Sequence, residues 1–297
     1  HAFYISLFIL INTINSIKSK TSIDMNPNMK YIAIEIIKSV YIFFEEISFK
    51  LIPIRQCLRN EIKYKLDLNE VIDFAIYKHG MWEKYTHKFL ETYLKQSDIV
   101  LEIGANIGSH TLTIAKIIGK EGLVHAFEPS EYAYKKLKKN IELNPSLQKN
   151  IILNKKLVSN SKKINLNKQI RSSWLRDKKK SKKREDLDDN LEIVSIDEYV
   201  SHTNLKRVNI IKIDVDGYDF KVLSGSINTI KKYKPIIFIE LSEICLNQQG
   251  DTVSDIFNFL SNLNYKLYCD KTHKLMTLKD VYTSLSNISS INGIFIN

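Results

Sequence analysis

Two glycine-containing turns and the acids beside them are the parts of this chain best suited to chemistry. Leu101-Glu102-Ile103-Gly104-Ala105-Asn106-Ile107-Gly108 closes a short apolar run. Gly104 permits a tight turn, and Gly108 lets a following helix begin close to a ligand. Glu128 closes a second apolar run in Ala126-Phe127-Glu128-Pro129-Ser130. A carboxylate there can accept hydrogen bonds from both hydroxyls of a ribose. Its competing reading is an acid paired with a helix N-terminus. Glu102 has a structural alternative as well, an acid that ties down the turn. A third run ends in Asp214-Val215-Asp216-Gly217-Tyr218-Asp219. Carboxylates in such positions serve general acid–base work.

Other chemistries are excluded by spacing. A dinucleotide fingerprint needs G-x-G-x-x-G, and its second and third glycines would fall at Asn106 and Ser109. A phosphate loop of the Walker type lacks its Gly-Lys-Ser/Thr ending. His79, His87, His125, His202 and His273 show no metal-ligand spacing. His110 starts a helix beside the glycine turn and reads as structural. Cys57, Cys245 and Cys269 are too scattered for a disulfide framework or a thiolate zinc cluster, and fit a reducing, cytoplasmic compartment.

The elements that must position these residues alternate. Residues 98–103, 122–127, 150–157, 208–213 and 235–239 read as strands. Helices are expected over 109–118, 129–144, 220–233 and 253–263, with Asp197 capping a short one. Two β-like pieces fall near Ile164–Leu166 and Leu191–Ile196. Tyr265–Cys269 and Ile291–Ile296 form a final strand pair. Near-continuous apolar strands between helices mean a mostly parallel sheet covered on both faces, a doubly wound α/β fold. Ligands then sit beyond the carboxyl ends of the strands, where Asp214 and Asp216 fall. Strand alternation alone would put those two on opposite faces. Lys212 reads as a strand residue whose amine reaches an acid.

The 297 residues carry 44% apolar and 26% charged side chains, which excludes wholesale disorder, collagen-like repeats and a polytopic membrane protein. The net charge of +11 is concentrated. Residues 162–184 hold eleven Lys or Arg against the single acid Asp177. A basic run of this kind is usually a solvated loop. It lacks aromatic interleaving beyond Trp174, which argues against a nucleic-acid partner. The apolar run Ala2–Ile11 is too short to span a bilayer. Residues 29–51 predict a helix with a wide apolar face, ended by Pro53. That face suits packing on the main domain or a partner, or attachment to a membrane surface through residues 1–52. The domain division is therefore an apolar, helical extension over 1–60 and a main domain over 61–297 with a basic insert at 160–190.

Residues 99–118, 124–144 and 208–241 resemble the FkbM-type methyltransferases, a branch of the class I S-adenosylmethionine-dependent enzymes. The resemblance rests on Val100 to Gly108, on Ala126-Phe127-Glu128-Pro129, and on Ile210 to Asp219 followed by Val222-Leu223-Ser224-Gly225. Glu83 in Gly80-Met81-Trp82-Glu83 and Ser195-Ile196-Asp197-Glu198 also fall where the family has related residues. The family often has Asp at the position of Glu102, and usually Glu at those of Asp216 and Asp219. The resemblance implies a seven-stranded Rossmann-like sheet with an antiparallel C-terminal pair, and S-adenosylmethionine as cofactor. It implies cofactor contacts from Glu102, Gly104, Ala105, Asn106, Gly108, Glu128, Pro129 and Ser130.

A methyl sulfonium has a neutral leaving group, so alignment and proton removal remain for the protein. Asp214 is expected to face the methionine part of the cofactor and Asp216 the acceptor, as the catalytic pair. Tyr218, Asp219, Glu240 and Glu243 are acceptor-side candidates; Asp219 reads equally as a helix acid. No Pro-Pro-Tyr follows the fourth strand and no Pro-Cys dipeptide occurs. That leaves a hydroxyl of a sugar, glycolipid or other small molecule as acceptor, with no metal. An RNA ribose methyltransferase using the basic insert, and a non-catalytic module that keeps the fold, are the alternatives.

Overall fold

The computed structural model describes residues 27–161, 175–176 and 191–297. Residues 1–24, Ile164–Leu166, Trp174 and most of the basic insert lie outside the described residues. The chain divides into two compact units, His1–Ile52 and Pro53–Asn297. In the first, helix α1 (Pro27–Leu51) runs for 25 residues. It covers the helix expected over 29–51, and Pro27 suits a first helical position. Among the described residues no helix is long and apolar enough to cross a membrane.

The second unit opens with a hairpin, β1 (Ile54–Arg59) and β2 (Ile62–Asp67), then helices α2 (Val71–His79) and α3 (Lys84–Tyr93). Next come β3 (Ile99–Ile103), α4 (Ser109–Ile118), β4 (Leu123–Phe127), α5 (Glu131–Glu142), α6 (Pro145–Gln148), β5 (Ile151–Asn154) and β6 (Lys156–Val158). Then follow β7 (Glu192–Val194), α7 (Ile196–His202), β8 (Ile210–Ile213), α8 (Asp219–Ser224), α9 (Ile227–Tyr233) and β9 (Ile236–Leu241). The C-terminal part holds α10 (Glu243–Gln248), α11 (Val253–Ser261), β10 (Lys266–Cys269), α12 (Leu278–Leu285) and β11 (Ile291–Ile296).

Seven strands form one sheet in the order β10-β11-β9-β8-β3-β4-β5. β5, β4, β3, β8 and β9 are parallel, and β11 runs antiparallel to both β9 and β10. This is the doubly wound, Rossmann-like α/β sheet with its antiparallel C-terminal pair. The strand order reverses at β3, so the turn after it opens onto a crevice. Every residue of β3 and β8 is buried. Leu101, Ile103, Ile211 and Ile213 pack on one face with Val222, Leu223 and Ile239. Val100, Ile210 and Phe238 pack on the other with Phe89, Leu90 and Ile114. Alternation sends Glu102 and Lys212 toward that second face, under α3 and α4.

Four features differ from the sequence reading. The stretch 150–157, read as one strand, is two, because β6 leaves the main sheet to pair with β7 in a separate parallel ribbon. The helix expected over 220–233 is two, α8 and α9, broken at Gly225. A Cβ on Gly225 would sit 3.1 Å from Ser159 O and Asn160 Cα, so the chain there is pressed against the end of β6. The cap of α7 is Ser195 in a capping box with Glu198, not Asp197. Asp197 instead accepts the N–H groups of Asn228 and Thr229. The short β1, within the stretch read as extension, pairs with β2 in the second unit.

The tightest constraint in the sheet is at Gly104. Its φ is +88°, and a Cβ there would lie 1.9 Å from the carbonyl oxygen of Asp214. Gly104→Ala should therefore lower the melting temperature by at least about 4 °C. The left-handed backbone alone costs an alanine about 1–2 kcal/mol, each worth about 2–4 °C in a domain of this size. An unchanged melting curve would show that the turn does not rest on Asp214.

Candidate active site

The glycine turn is tied to the end of β4. Gly104 and Ala105 both donate their N–H groups to Phe127 O, at 3.0 and 2.9 Å. Asn106, at φ +48°, donates its N–H to Glu128 Oε2 at 2.9 Å. Glu128 Oε1 accepts the N–H and the hydroxyl of Ser130 at 2.9 and 2.7 Å. Ser130 Oγ in turn caps α5 by accepting from Ala133 N–H. Three donors thus hold the Glu128 carboxylate at the carboxyl end of β4.

A cavity of about 380 Å³ lies over these strand ends. Gly104, Ala105, Asn106, Glu128 and Pro129 line one part of it. Asp214, Asp216, Tyr218 and Glu240 line another. Asp214 and Asp216 reach the same cavity despite the alternation rule, because the chain leaves the sheet after Ile213 and Asp216 adopts φ +48°. Five residues named from the sequence do not line it. Glu102 is fully buried under the turn and accepts from Thr111 Oγ1 at 2.6 Å. Gly108 caps α4 against Leu137. Ser130 is buried behind Glu128. Asp219, 2% exposed, accepts the N–H groups of Val215 and Gly217 and so shapes the turn that carries Asp216. Glu243 is likewise engaged elsewhere, accepting Val253 N–H at 2.9 Å.

The sequence reading gave no site role to several lining residues. Trp82, Glu83 and His110 also line the cavity. Val71 and Ile72, at the start of α2, and Leu157 and Val158 of β6 add apolar surface. Apolar residues at element ends carry no local mark of a site. The aromatic–acid pair Trp82-Glu83 just before an amphipathic helix was the available signal.

The charges interact strongly. Lys212, 1% exposed, places Nζ 3.0 Å from Asp214 Oδ2. Burial alone would lower its pKa, but the carboxylates of Asp214, Glu102 and Glu83 outweigh this and raise it. Glu102 is pushed to about 7 by burial, which Lys212 and the Thr111 hydroxyl only partly counter. Burial and the charge of Asp214 push Asp219 to about 7 and Glu240 to about 8. His110 is held well below its ordinary value by burial and by Lys212. Among the described residues no group of three or more His, Cys, Asp or Glu is arranged to hold a metal ion.

These shifts set a sign for stability against pH. Glu102, Asp219 and Glu240 hold protons more tightly folded than unfolded, so their contribution is full at low pH and is lost as pH rises through 7 to 8. The buried histidines act oppositely, but only below about pH 6.5, the ordinary histidine value. The ligand-free protein should therefore lose stability from about pH 6.5 to 8.5. Urea midpoints across that window test this, and a midpoint that rises would contradict the burial of these acids.

A family description, the methyltransferase FkbM domain, matches residues 102–267, more than half of the chain. No curated protein matches it. Solved structures with similar folds share little sequence. The FkbM methyltransferase from Methylobacillus flagellatus KT is 13% identical, with a TM-score of 0.46 over 74% of this chain and 50% of that one. The O-methyltransferase from Bacillus cereus, in complex with SAH, is 16% identical, with a TM-score of 0.43 over 73% and 82%. Aeropyrum pernix fibrillarin, with natively bound S-adenosyl-L-methionine, is 12% identical, with a TM-score of 0.43 over 82% of each chain. With its glycine turn, its second acid and its post-β8 carboxylates all inside the matched span, the chain belongs to the FkbM methyltransferase family.

Proposed function

We propose that the second unit, Pro53–Asn297, is an S-adenosylmethionine-dependent O-methyltransferase acting on a hydroxyl of a sugar, glycolipid or comparable neutral small molecule. The observation that carries this reading is a single cavity with Glu128 at one end and Asp214 and Asp216 at the other. The residues present fit the cofactor. Gly104 leaves bare backbone where a side chain has no room. Glu128 offers a fixed carboxylate for a ribose diol, and Asp214, steadied by Lys212, offers one for an ammonium. The bound cofactor supplies a methyl group on a sulfonium with a neutral leaving group.

The acceptor end fits a hydroxyl compound. Asp216 orients the acceptor by accepting a hydrogen bond from a hydroxyl beside the one that reacts. Glu240 keeps its proton near neutrality and donates to a second acceptor oxygen. Trp82 and Tyr218 offer aromatic surface to the C–H face of a sugar ring. Glu83, Asp214 and Asp216 share this cavity, and a phosphate backbone would meet like charge there. That favours a neutral acceptor over RNA.

Two measurements test the reading. Calorimetry on the full chain should show micromolar binding of S-adenosylhomocysteine, weakened at least about tenfold in Glu128→Ala, the scale of a hydrogen bond to a charged group. Folded protein with no binding would refute the cofactor site. Isotopically labelled methyl donor with methyl glycosides of neutral hexoses and 6-deoxyhexoses should yield methyl ethers. Asp216→Asn should cut turnover about 100-fold while leaving S-adenosylhomocysteine affinity within about twofold; unchanged turnover would remove Asp216 from catalysis.

A further inference from the structure

We propose that Glu83 is the general base of this reaction, the group that takes the proton from the acceptor hydroxyl. The inference rests on the O-methyl-transfer reading above, and Glu83 lies outside the span that the family description matches. Glu83 immediately precedes α3 with φ +55° and ψ 82°. A residue with a Cβ rarely adopts that conformation. Such strain persists where the surroundings enforce it, and it concentrates at functional sites.

The enforcing contacts are specific. His110 Nε2 lies 3.3 Å from Trp82 O. A carbonyl oxygen only accepts, so Nε2 carries a proton and donates it there. His87 N–H donates to Glu83 O at 3.1 Å, and Thr86 Oγ1 donates to Glu83 Oε2 at 2.9 Å. His110 is buried and neutral, so it braces the turn rather than neutralising Glu83, whose Oε2 stands 4.0 Å from Nε2. The turn thus fixes a carboxylate at the cavity with a hydroxyl as its hydrogen-bond donor and no cation in hydrogen-bond contact among the described residues.

The other carboxylates of the cavity are less suited to this step. Asp214 is paired with Lys212 at 3.0 Å. Glu240 holds its own proton near neutrality. Asp216 is the most exposed of the four, and burial is what raises a carboxyl toward neutrality. Glu83 is partly buried, and burial with the nearby charge of Asp214 raises its carboxyl. Of the charged groups that face it, Asp214 and Asp270 raise it further and Lys212 opposes them. The net shift brings the carboxyl closer to the working pH of a base. In the step, the acceptor oxygen bonds to the methyl carbon as the methyl–sulfur bond breaks. The bonding pair stays on sulfur as a neutral thioether, and the hydroxyl proton passes to Glu83 and then to solvent.

The test is the pH–rate profile of the full chain, from pH about 5 to 9, on whichever methyl hexoside the preceding screen finds methylated. In wild type, kcat should rise with pH along one limb. Glu83→Gln, which can keep the Thr86 hydrogen bond, should lower kcat at least about 100-fold and abolish that limb. Glu83→Asp should restore the limb with part of the rate. S-adenosylhomocysteine affinity, by calorimetry, should stay within about twofold in both variants. A glutamine variant that keeps the limb overturns the base role while leaving the function intact. One that weakens S-adenosylhomocysteine binding more than about tenfold assigns Glu83 to the cofactor instead. Wild-type protein that binds S-adenosylhomocysteine yet methylates none of the glycosides overturns the hydroxyl acceptor, and the base with it.

Discussion

A lysine ammonium buried at the end of β8 is the constraint around which the site is built. Lys212 faces Glu102 in register across the parallel β3–β8 pair, and its Nζ pairs with Asp214. Glu102 in turn holds Thr111 of α4. Removing one member of such a buried set leaves the others uncompensated, a loss of about 3–5 kcal/mol. Two central strands, one helix and the turn after β8 therefore share one charge network. The Gly104 backbone rests on the Asp214 carbonyl, so the glycine turn after β3 and the carboxylate-bearing turn after β8 are fixed to each other.

The wall that closes the cavity from the N-terminal side is attached by a second set of polar contacts. Lys136 of α5 reaches Glu70 at 3.1 Å and Asp73 at 2.6 Å. Asn140 and Asn144 accept the backbone N–H groups of Lys65 and Lys63 in β2. These contacts pin β2 and the start of α2 to the helix that follows Glu128, and Val71 and Ile72 enter the cavity as a result. Leu175 and Arg176 meet the same wall, through a bridge to Glu70, a bond from Arg176 N–H to Asn69 O, and the guanidinium 3.6 Å from the Phe74 ring centre. Residues outside the matched family span thus complete a cavity whose glycine and carboxylate turns lie within it.

The strand-and-helix alternation of the second unit was legible because β3, β4, β8 and β9 are apolar along nearly their whole length. The two turns were legible because Gly104, Glu128 and Asp214 sit where apolar runs stop. Partner choice was not legible. β5 and β6 follow each other with only Lys155 between them, and only the fold tells that the second strand pairs elsewhere. Glu102 and Ser130 belong to motifs that also hold lining residues, and sequence adjacency cannot separate a carboxylate on the cavity wall from one beneath it. Trp82 and His110 meet in space from either side of β3, a contact with no periodicity to betray it.

Where this chain departs from its family, the geometry gives reasons. Gly217 lies against Cys245, with a Cβ position only 2.3 Å from the Cys245 carbonyl oxygen. The turn it shares with Asp219 is therefore crowded, and the short acid at 219 already reaches both N–H groups it must satisfy. At position 102 the longer acid spans from β3 to the Thr111 hydroxyl on the helix above while staying opposite Lys212. At position 216 the acid sits in a left-handed turn, φ +48°, that carries it into the cavity. Across the same cavity stands a longer acid, Glu83, held by a strained turn and raised by burial. In the proposed reaction, orientation falls to Asp216 and proton acceptance to the more buried Glu83.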